Sequence, residues 1–514
     1  MIWFLLQIFV IIILYTIYTL LTKNHDYWKK KNVPYLKPKL LFGNFSDYIL
    51  FKKSSSIVTS EICEQFPDEP YVGVFYGTRP ALVIKDPKIL KLVLTQDFYY
   101  FSGRENTDYT DREAITTNLF FNGGDHWKVL RQNLTPLFTS AKLKNMFLMI
   151  NGCAEELDAF LEEELKISED VNLRSLFARY AMECIINCVF GLRTNAMKKD
   201  DGTNPFVIVG EQIFDTSTAR GLKIITRSMW PSLFYGLGFK LFDEKIEDFF
   251  NGLYNNATES RSKDQITKND FVELISSWQK EKYITGDRFS DGKTTGNSIE
   301  KIEVNKDLLV AQCTLFFSAG FETTSTTTNF LLYELAKNKH AQDKVIEEVD
   351  AYFNKHGVIK YECVNEMPYV EACIEETLRL YPVLGTLTRE VMSSYTLPTG
   401  LQLKKGDRVH IPISHIHRHP DYFPDPTSYR PERFFGDEKK KIKQFTFFPF
   451  GEGPRVCIGI RFARMAMYAG LLTIFRKYRV ELAENMPLTL KFKSVSLTTQ
   501  ASINIYLKFI PRER

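Results

Sequence analysis

The hydrophobic pattern splits the chain into one uninterrupted apolar run and a long remainder of mostly helical periodicity. Residues 2–22 carry no charge and are dominated by Ile, Leu, Phe and Tyr. About twenty apolar residues at ~1.5 Å rise span a hydrocarbon core of roughly 30 Å, so 1–22 is predicted to be a single-pass transmembrane anchor. A cleaved signal needs a positive start, a shorter apolar stretch and a small-residue cleavage site, and the run has none of these. Positive charge begins at Lys23 and gathers in Trp28-Lys29-Lys30-Lys31, behind the run. The positive-inside rule then predicts the rest of the chain on the cytosolic side. Residues 23–39 are basic and carry Pro34 and Pro38, which predicts an extended, semi-rigid hinge. A globular body is expected over 40–514.

In that body, apolar positions recur at helical spacing over 125–134, 142–166, 172–190, 306–337, 340–355, 364–380 and 461–478. Strand-like runs occur at 71–76, 81–84, 408–413 and 502–509. The fold class is therefore mainly α with small β-sheets. Residues 285–301 are polar and predict a loose surface connection. The 41 phenylalanines, within a 44% hydrophobic chain, favour a large interior and an apolar ligand cavity. The 66 basic and 62 acidic residues nearly balance, which argues against a nucleic-acid protein. Eight cysteines scattered through 514 residues do not form a disulfide framework and suit a reducing compartment.

One cysteine stands apart. Phe448-Pro449-Phe450-Gly451-Glu452-Gly453-Pro454-Arg455-Val456-Cys457-Ile458-Gly459 is a glycine-rich loop leading into a helix. Glycines let backbone approach a ligand closely. A Cys457 thiolate, as a metal ligand, needs positive potential, which Arg455, backbone N–H groups and the helix N-terminus can supply. Phe450 would shield the sulfur from water. Three further groupings accompany the loop. Ala319-Gly320-Phe321-Glu322-Thr323-Thr324 interrupts a long apolar helix, where hydroxyls bonding back to carbonyls predict a local bulge. Glu322 beside Thr323 pairs an acid with an alcohol, a proton-relay combination. Glu376 and Arg379 form an i, i+3 pair, and Trp127 and Arg131 lie one turn apart on a helix face. His417 and His419 are rival metal ligands in a turn-rich segment.

Taken together, Phe450, Gly453, Arg455, Cys457 and Gly459 with these groupings resemble the cytochrome P-450 superfamily across essentially the whole chain. One departure is Ala466, where many members have Glu. Finer details (Pro449 to Arg455, Ala319 to Thr323, Arg131 to Pro136) look like insect microsomal members of family six. The resemblance implies a haem-thiolate monooxygenase over 40–514, with heme b held by an axial Cys457 thiolate. It implies that Trp127, Arg131, Arg389 and Arg455 bind haem propionates and that Thr323 and Glu322 deliver protons. It adds Arg433 to Glu376 and Arg379 as a structural triad behind the cysteine loop. The implied enzyme is an unspecific monooxygenase of apolar small molecules, such as plant toxins, insecticides, or endogenous lipids and hormones. Its electrons come from an NADPH-dependent haemoprotein reductase, with cytochrome b5 a second candidate donor, at the endoplasmic reticulum membrane. Lys439, Lys440, Lys441 and Lys443, with Lys128, Lys142 and Lys144, are the expected docking face. Residues 229–237, charge-free and aromatic, are either core or a loop dipping into the bilayer. A reductase-independent isomerase or dehydratase and a non-catalytic haem protein remain alternatives.

Overall fold

A computed structural model describes residues 1–198, 202–264, 270–289 and 298–513. The helices used below are α1 (Ile2–Thr22), α2 (Ser55–Glu64), α3 (Gly124–Leu134), α4 (Ser140–Ile167), α5 (Leu173–Phe190), α6 (Thr218–Met229), α7 (Pro231–Gly236), α8 (Lys306–Lys337), α9 (Lys339–His356), α10 (Pro368–Leu380) and α11 (Ile460–Lys477). The strands are β1 (Tyr71–Tyr76), β2 (Arg79–Ile84), β3 (Asp170–Asn172), β4 (Tyr283–Asp287), β5 (Ile299–Glu303), β6 (Leu387–Glu390), β7 (Arg408–Ile411), β8 (Tyr478–Leu482) and β9 (Tyr506–Pro511). The architecture is mainly α with small sheets, as the periodicity predicts. α8 runs through the largest apolar core and packs along α5. It is buried on nearly every face, its polar residues included, as befits a helix with neighbours on every side.

A four-stranded sheet has the order β1-β2-β7-β6, antiparallel except for the parallel β2–β7 pair. A three-stranded sheet has the order β8-β9-β3. Three expectations change. The helix expected over 364–380 breaks into Cys363–Glu366 and α10, because Pro368 starts a new helix at its first turn. The strand expected over 408–413 ends at Ile411, before Pro412. The segment expected to be loose over 285–301 carries the β4–β5 hairpin, paired from Tyr283↔Glu303 to Asp287↔Ile299, while 290–297 lie outside the described residues. This hairpin covers α3. The Gln132 side chain accepts from the Asp287 N–H, and Asn133 donates to the Thr285 carbonyl, both at 2.9 Å.

α1 is long and apolar enough to cross a membrane, and none of it is buried by the rest of the protein. The segment after it is no free spacer. Trp28 is 1% exposed and donates from Nε1 to the Val74 carbonyl at 2.9 Å. It fits only because β1 has Gly73 beneath it, where a Cβ would sit 2.5 Å from Trp28 Cγ. Tyr27 donates its hydroxyl to Asp407 at 2.8 Å, and Asn24 donates to the Thr78 carbonyl at 3.1 Å. Residues 23–39 thus hold to the sheet from Asn24 onward, with apolar burial of an indole stiffening the link.

Candidate functional site

The cysteine loop is shaped by its glycines. Gly451 and Gly453 have φ of +77° and +71°. A Cβ on Gly453 would also collide with the Leu94 carbonyl, so only glycine passes there. The Cys457 N–H donates to the Phe450 carbonyl at 2.9 Å and closes the loop. Gly459 caps α11 and turns its N–H toward the sulfur. Seven of the eight cysteines are buried by packing, and Cys457 alone has accessible surface. It nonetheless lies deep in the protein, because that surface opens onto a cavity. Burial pushes its thiol up, while the Gly459 N–H and the Arg131 guanidinium favour the thiolate. The sequence suggests Arg455 as the cation beside the sulfur. The structure gives that place to Arg131 on α3.

The cavity has a volume of about 250 Å³, near the lower end of the ~300–1,000 Å³ usual for small-molecule pockets. Leu119, Phe120, Ile185, Phe316, Val383 and Leu384 make its apolar wall, and Ala319, Gly320 and Thr323 present one face of α8. A more polar cleft between α2 and the 382–386 segment shares Val383 and Leu384 with it but holds none of the chemistry above.

Four arginines line the same cavity: Arg104, Arg131, Arg389 and Arg455. Arg131 donates to the Val456 carbonyl at 3.0 Å and Arg389 to the Thr388 carbonyl at 2.9 Å. Arg455 donates to the carbonyls of Ser102, Phe120 and Asn122, and its guanidinium lies 4.7 Å from the Trp127 ring. None of the four pairs with a carboxylate among the described residues, and Nε of Arg104 and of Arg389 is buried without a partner. Burial pushes Arg104 down to about 10. Burial and the neighbouring Arg104 push Arg389 down to about 9. Burial and the other three arginines hold Arg455 well below its ordinary value. Buried cations short of counter-charge fit a ligand that brings carboxylates. With a thiolate-competent cysteine in the same cavity, the residues fit haem and its propionates.

The structure thus brings together Cys457, Phe450, Trp127, Arg131, Arg389, Arg455 and Thr323. It does not bring Glu322. Successive residues on a helix point about 100° apart, so Thr323 and Glu322 cannot both face the cavity. The Glu322 carboxylate is buried on the other side of α8. It pairs with Arg174 at 3.2 Å and accepts from Thr326 at 3.3 Å and from Gln500 at 2.8 Å. Burial pushes its carboxyl up against the pull of those three partners. The expected bulge is absent too. α8 stays α-helical through the motif, and the hydroxyls of Thr323, Thr327 and Thr328 each donate to the carbonyl four residues back. Arg104 is a site residue that the sequence reading misses. The signal for it is a single charge ending the aromatic run Phe98-Tyr99-Tyr100-Phe101.

Behind the loop, Arg379 and Glu376 form a fully buried two-point pair at 2.7 and 2.8 Å, with Arg433 3.5 Å from the same carboxylate. The rival ligands are excluded by position. His417 belongs to this buried network and His419 packs on Tyr422, and neither lines the cavity. Among the described residues no other His, Cys, Asp and Glu grouping could hold a metal ion.

Fold and cavity together fit a haem-thiolate monooxygenase. The model of the family described as Cytochrome P450 matches residues 33–509. The chain is 32% identical to Cytochrome P450 6B2 of Helicoverpa armigera over 504 residues, 98% of this chain and 97% of that one. It is 33% identical to Cytochrome P450 6k1 of Blattella germanica over 493 residues, 94% and 93% of the two chains. With Cytochrome P450 6A1 of Musca domestica the identity is 30% over 491 residues, again 94% and 93%. The chain belongs to the cytochrome P450 family of haem-thiolate monooxygenases.

Proposed function

We propose that this chain is an anchored, reductase-dependent monooxygenase of apolar small molecules, xenobiotics foremost, working on the cytosolic face of the endoplasmic reticulum. Cys457 would hold a heme b through its thiolate. The observation that carries the reading is the pairing of the one accessible thiol with four arginines lacking counter-charge in one cavity. When bound, haem supplies oxygen binding and O–O cleavage, which a thiolate ligand promotes. The protein's residues do the rest. Arg104, Arg131, Arg389 and Arg455 would bind the haem propionates. The apolar wall excludes water and selects an apolar substrate.

Thr323 holds a proton at Oγ1, now donated to the Ala319 carbonyl at 2.6 Å, and must turn to offer it to the cavity. Glu322, held on the far side of α8 by Arg174 and Gln500, supports that helix and does not itself reach the cavity. The electron donor docks where Lys142 and Lys144, which have no partner among the described residues, lie near Arg461 at the start of α4 and α11. The lysine run before the loop is a poorer docking site than its sequence suggests. Lys439 is paired with Glu375 at 2.7 Å, Lys440 with Asp437 at 2.7 Å, and Lys441 with Glu438.

The test is a reduced-CO difference spectrum of the haem-loaded protein, followed by NADPH consumption with a reductase. A thiolate-type band lost in Cys457→His, plus oxygenated product from an apolar probe, supports the reading. A thiolate band that survives Cys457→His overturns the ligand assignment. A thiolate band with no reductase-dependent product points to the isomerase, dehydratase or carrier alternatives.

A further inference from the structure

His417 lies outside the haem cavity, is fully buried, and sits between the buried triad and the cysteine loop. Its carbonyl accepts from Arg379 at 3.1 Å. Its ring Nε2 accepts the backbone N–H of Phe448 at 3.1 Å. Phe448 opens the loop. Its own carbonyl accepts from the Gly451 N–H at 2.9 Å, and the Phe450 carbonyl accepts from Cys457 at 2.9 Å. A continuous path therefore runs from the Glu376–Arg379 pair through His417 to the turn carrying the sulfur. The ring packs against Phe447 and Phe448, with centroids 5.1 and 5.6 Å away. Among the described residues nothing else accepts the Phe448 N–H. That donor is buried, and losing its one acceptor leaves it unsatisfied.

We propose that His417 is the positioning residue that transmits the Glu376–Arg379–Arg433 network to the cysteine loop, by accepting the Phe448 N–H and fixing where the Cys457 sulfur stands.

Only a neutral imidazole can accept at Nε2. Burial, with Arg379 and Arg418 close by, pushes His417 down to about 3 and keeps it neutral at working pH. The ring proton is then on Nδ1, where the Leu378 carbonyl is within reach although no well-aligned bond forms. Glutamine is the conservative replacement, since its Oε1 reaches the place of Nε2 and accepts. Phenylalanine keeps the ring packing and removes the acceptor.

The inference rests on Cys457 as haem ligand, so wild-type protein is measured first. A wild type without a thiolate band would fail that reading and not this one. With the band present, His417→Phe is expected to raise the ratio of thiolate-lost to thiolate-bound haem about fivefold. That is the equivalent of about 1 kcal/mol for one hydrogen bond. His417→Gln is expected to restore the wild-type ratio. Hydrogen exchange at the Phe448 amide should be slow in wild type and His417→Gln and faster in His417→Phe. A merely structural histidine would make the two variants behave alike. If His417→Phe yields no haem protein, His417→Gln decides alone: a thiolate band like wild type supports the proposal, and its loss overturns it. An unshifted band together with unchanged Phe448 exchange in His417→Phe also overturns it.

Discussion

Glu390 is 9% exposed at the end of β6 and accepts from the Thr107 N–H at 3.1 Å. Burial outweighs that bond and pushes its carboxyl from 4.5 up to about 7, with Asp108 and Glu105 adding to the rise. A carboxyl raised in the folded state stabilises fully below its unfolded pKa, and that stability is lost as pH rises through the folded value. The shift from 4.5 to about 7 is worth roughly 3 kcal/mol. Glu390→Gln stays neutral at every pH. Its stability advantage over wild type is therefore expected to grow between these two values and to be flat below them, read by urea unfolding across the range. His415 and His417, lowered to about 4 and about 3, act oppositely, since their stability is lost as pH falls below 6.5. They cancel in the difference between variant and wild type. A difference that does not change with pH contradicts the assignment. Thr323→Ala should keep the thiolate spectrum and lower product by roughly 10²-fold while NADPH is diverted to peroxide. Unchanged product per NADPH would end the role proposed for that hydroxyl.

At the level of elements, the α5–α8 contact turns on Gly320. A Cβ there would lie 2.6 Å from Ile185 Cδ1. Overpacking of this kind costs about 1–3 kcal/mol. Gly320→Ala is expected to lower the melting temperature by about 1–3 °C (roughly 1 °C per kcal/mol for a chain of this length). Gly320→Ala with Ile185→Val should recover most of the loss, and a double-mutant cycle with no coupling would refute the contact. The motif around Gly320 is legible in sequence as a polar interruption, but its packing role is not, because sequence does not say what stands opposite. The same limit recurs elsewhere. Residues 142–166 foretell α4 (Ser140–Ile167) closely, since an apolar stripe records which helix face is covered. The β4–β5 hairpin is polar and is held by α3, so its composition reads as a loop. Arg389 is reached only through family resemblance. Arg104 has no motif around it, and Glu322 reads as Thr323's partner until the helix turn between them is counted.

For the whole molecule, the first question is which surface meets the bilayer. Phe234 is 1% exposed and Trp230 packs against the Gly77 turn, so these two residues of 229–237 belong to the core. Leu233, Leu237 and Phe239 are the exposed apolar residues there. They follow Trp230, which packs on the β1–β2 turn where Asn24 also docks, so they lie toward the anchor's side of the molecule. Leu233→Asp with Leu237→Asp is expected to weaken vesicle binding of a chain starting at Lys23 severalfold, whereas Trp230→Asp should act through loss of fold. Unchanged vesicle binding in the double variant would remove this face from the bilayer. On the opposite account, Lys142→Glu with Lys144→Glu should raise the apparent reductase KM and leave peroxide-supported turnover intact, and equal losses in both would indicate damaged folding. The docking of Trp28 into β1 has a mechanical consequence. A 21-residue helix is about 31 Å long and tilts where the hydrocarbon layer is thinner. Because Asn24, Tyr27 and Trp28 clasp the sheet, the body follows that tilt as an arm follows its lever. Lipid chain length then sets how deeply the apolar face around Leu233 is immersed, and with it the concentration of lipid-dissolved substrate that the cavity meets.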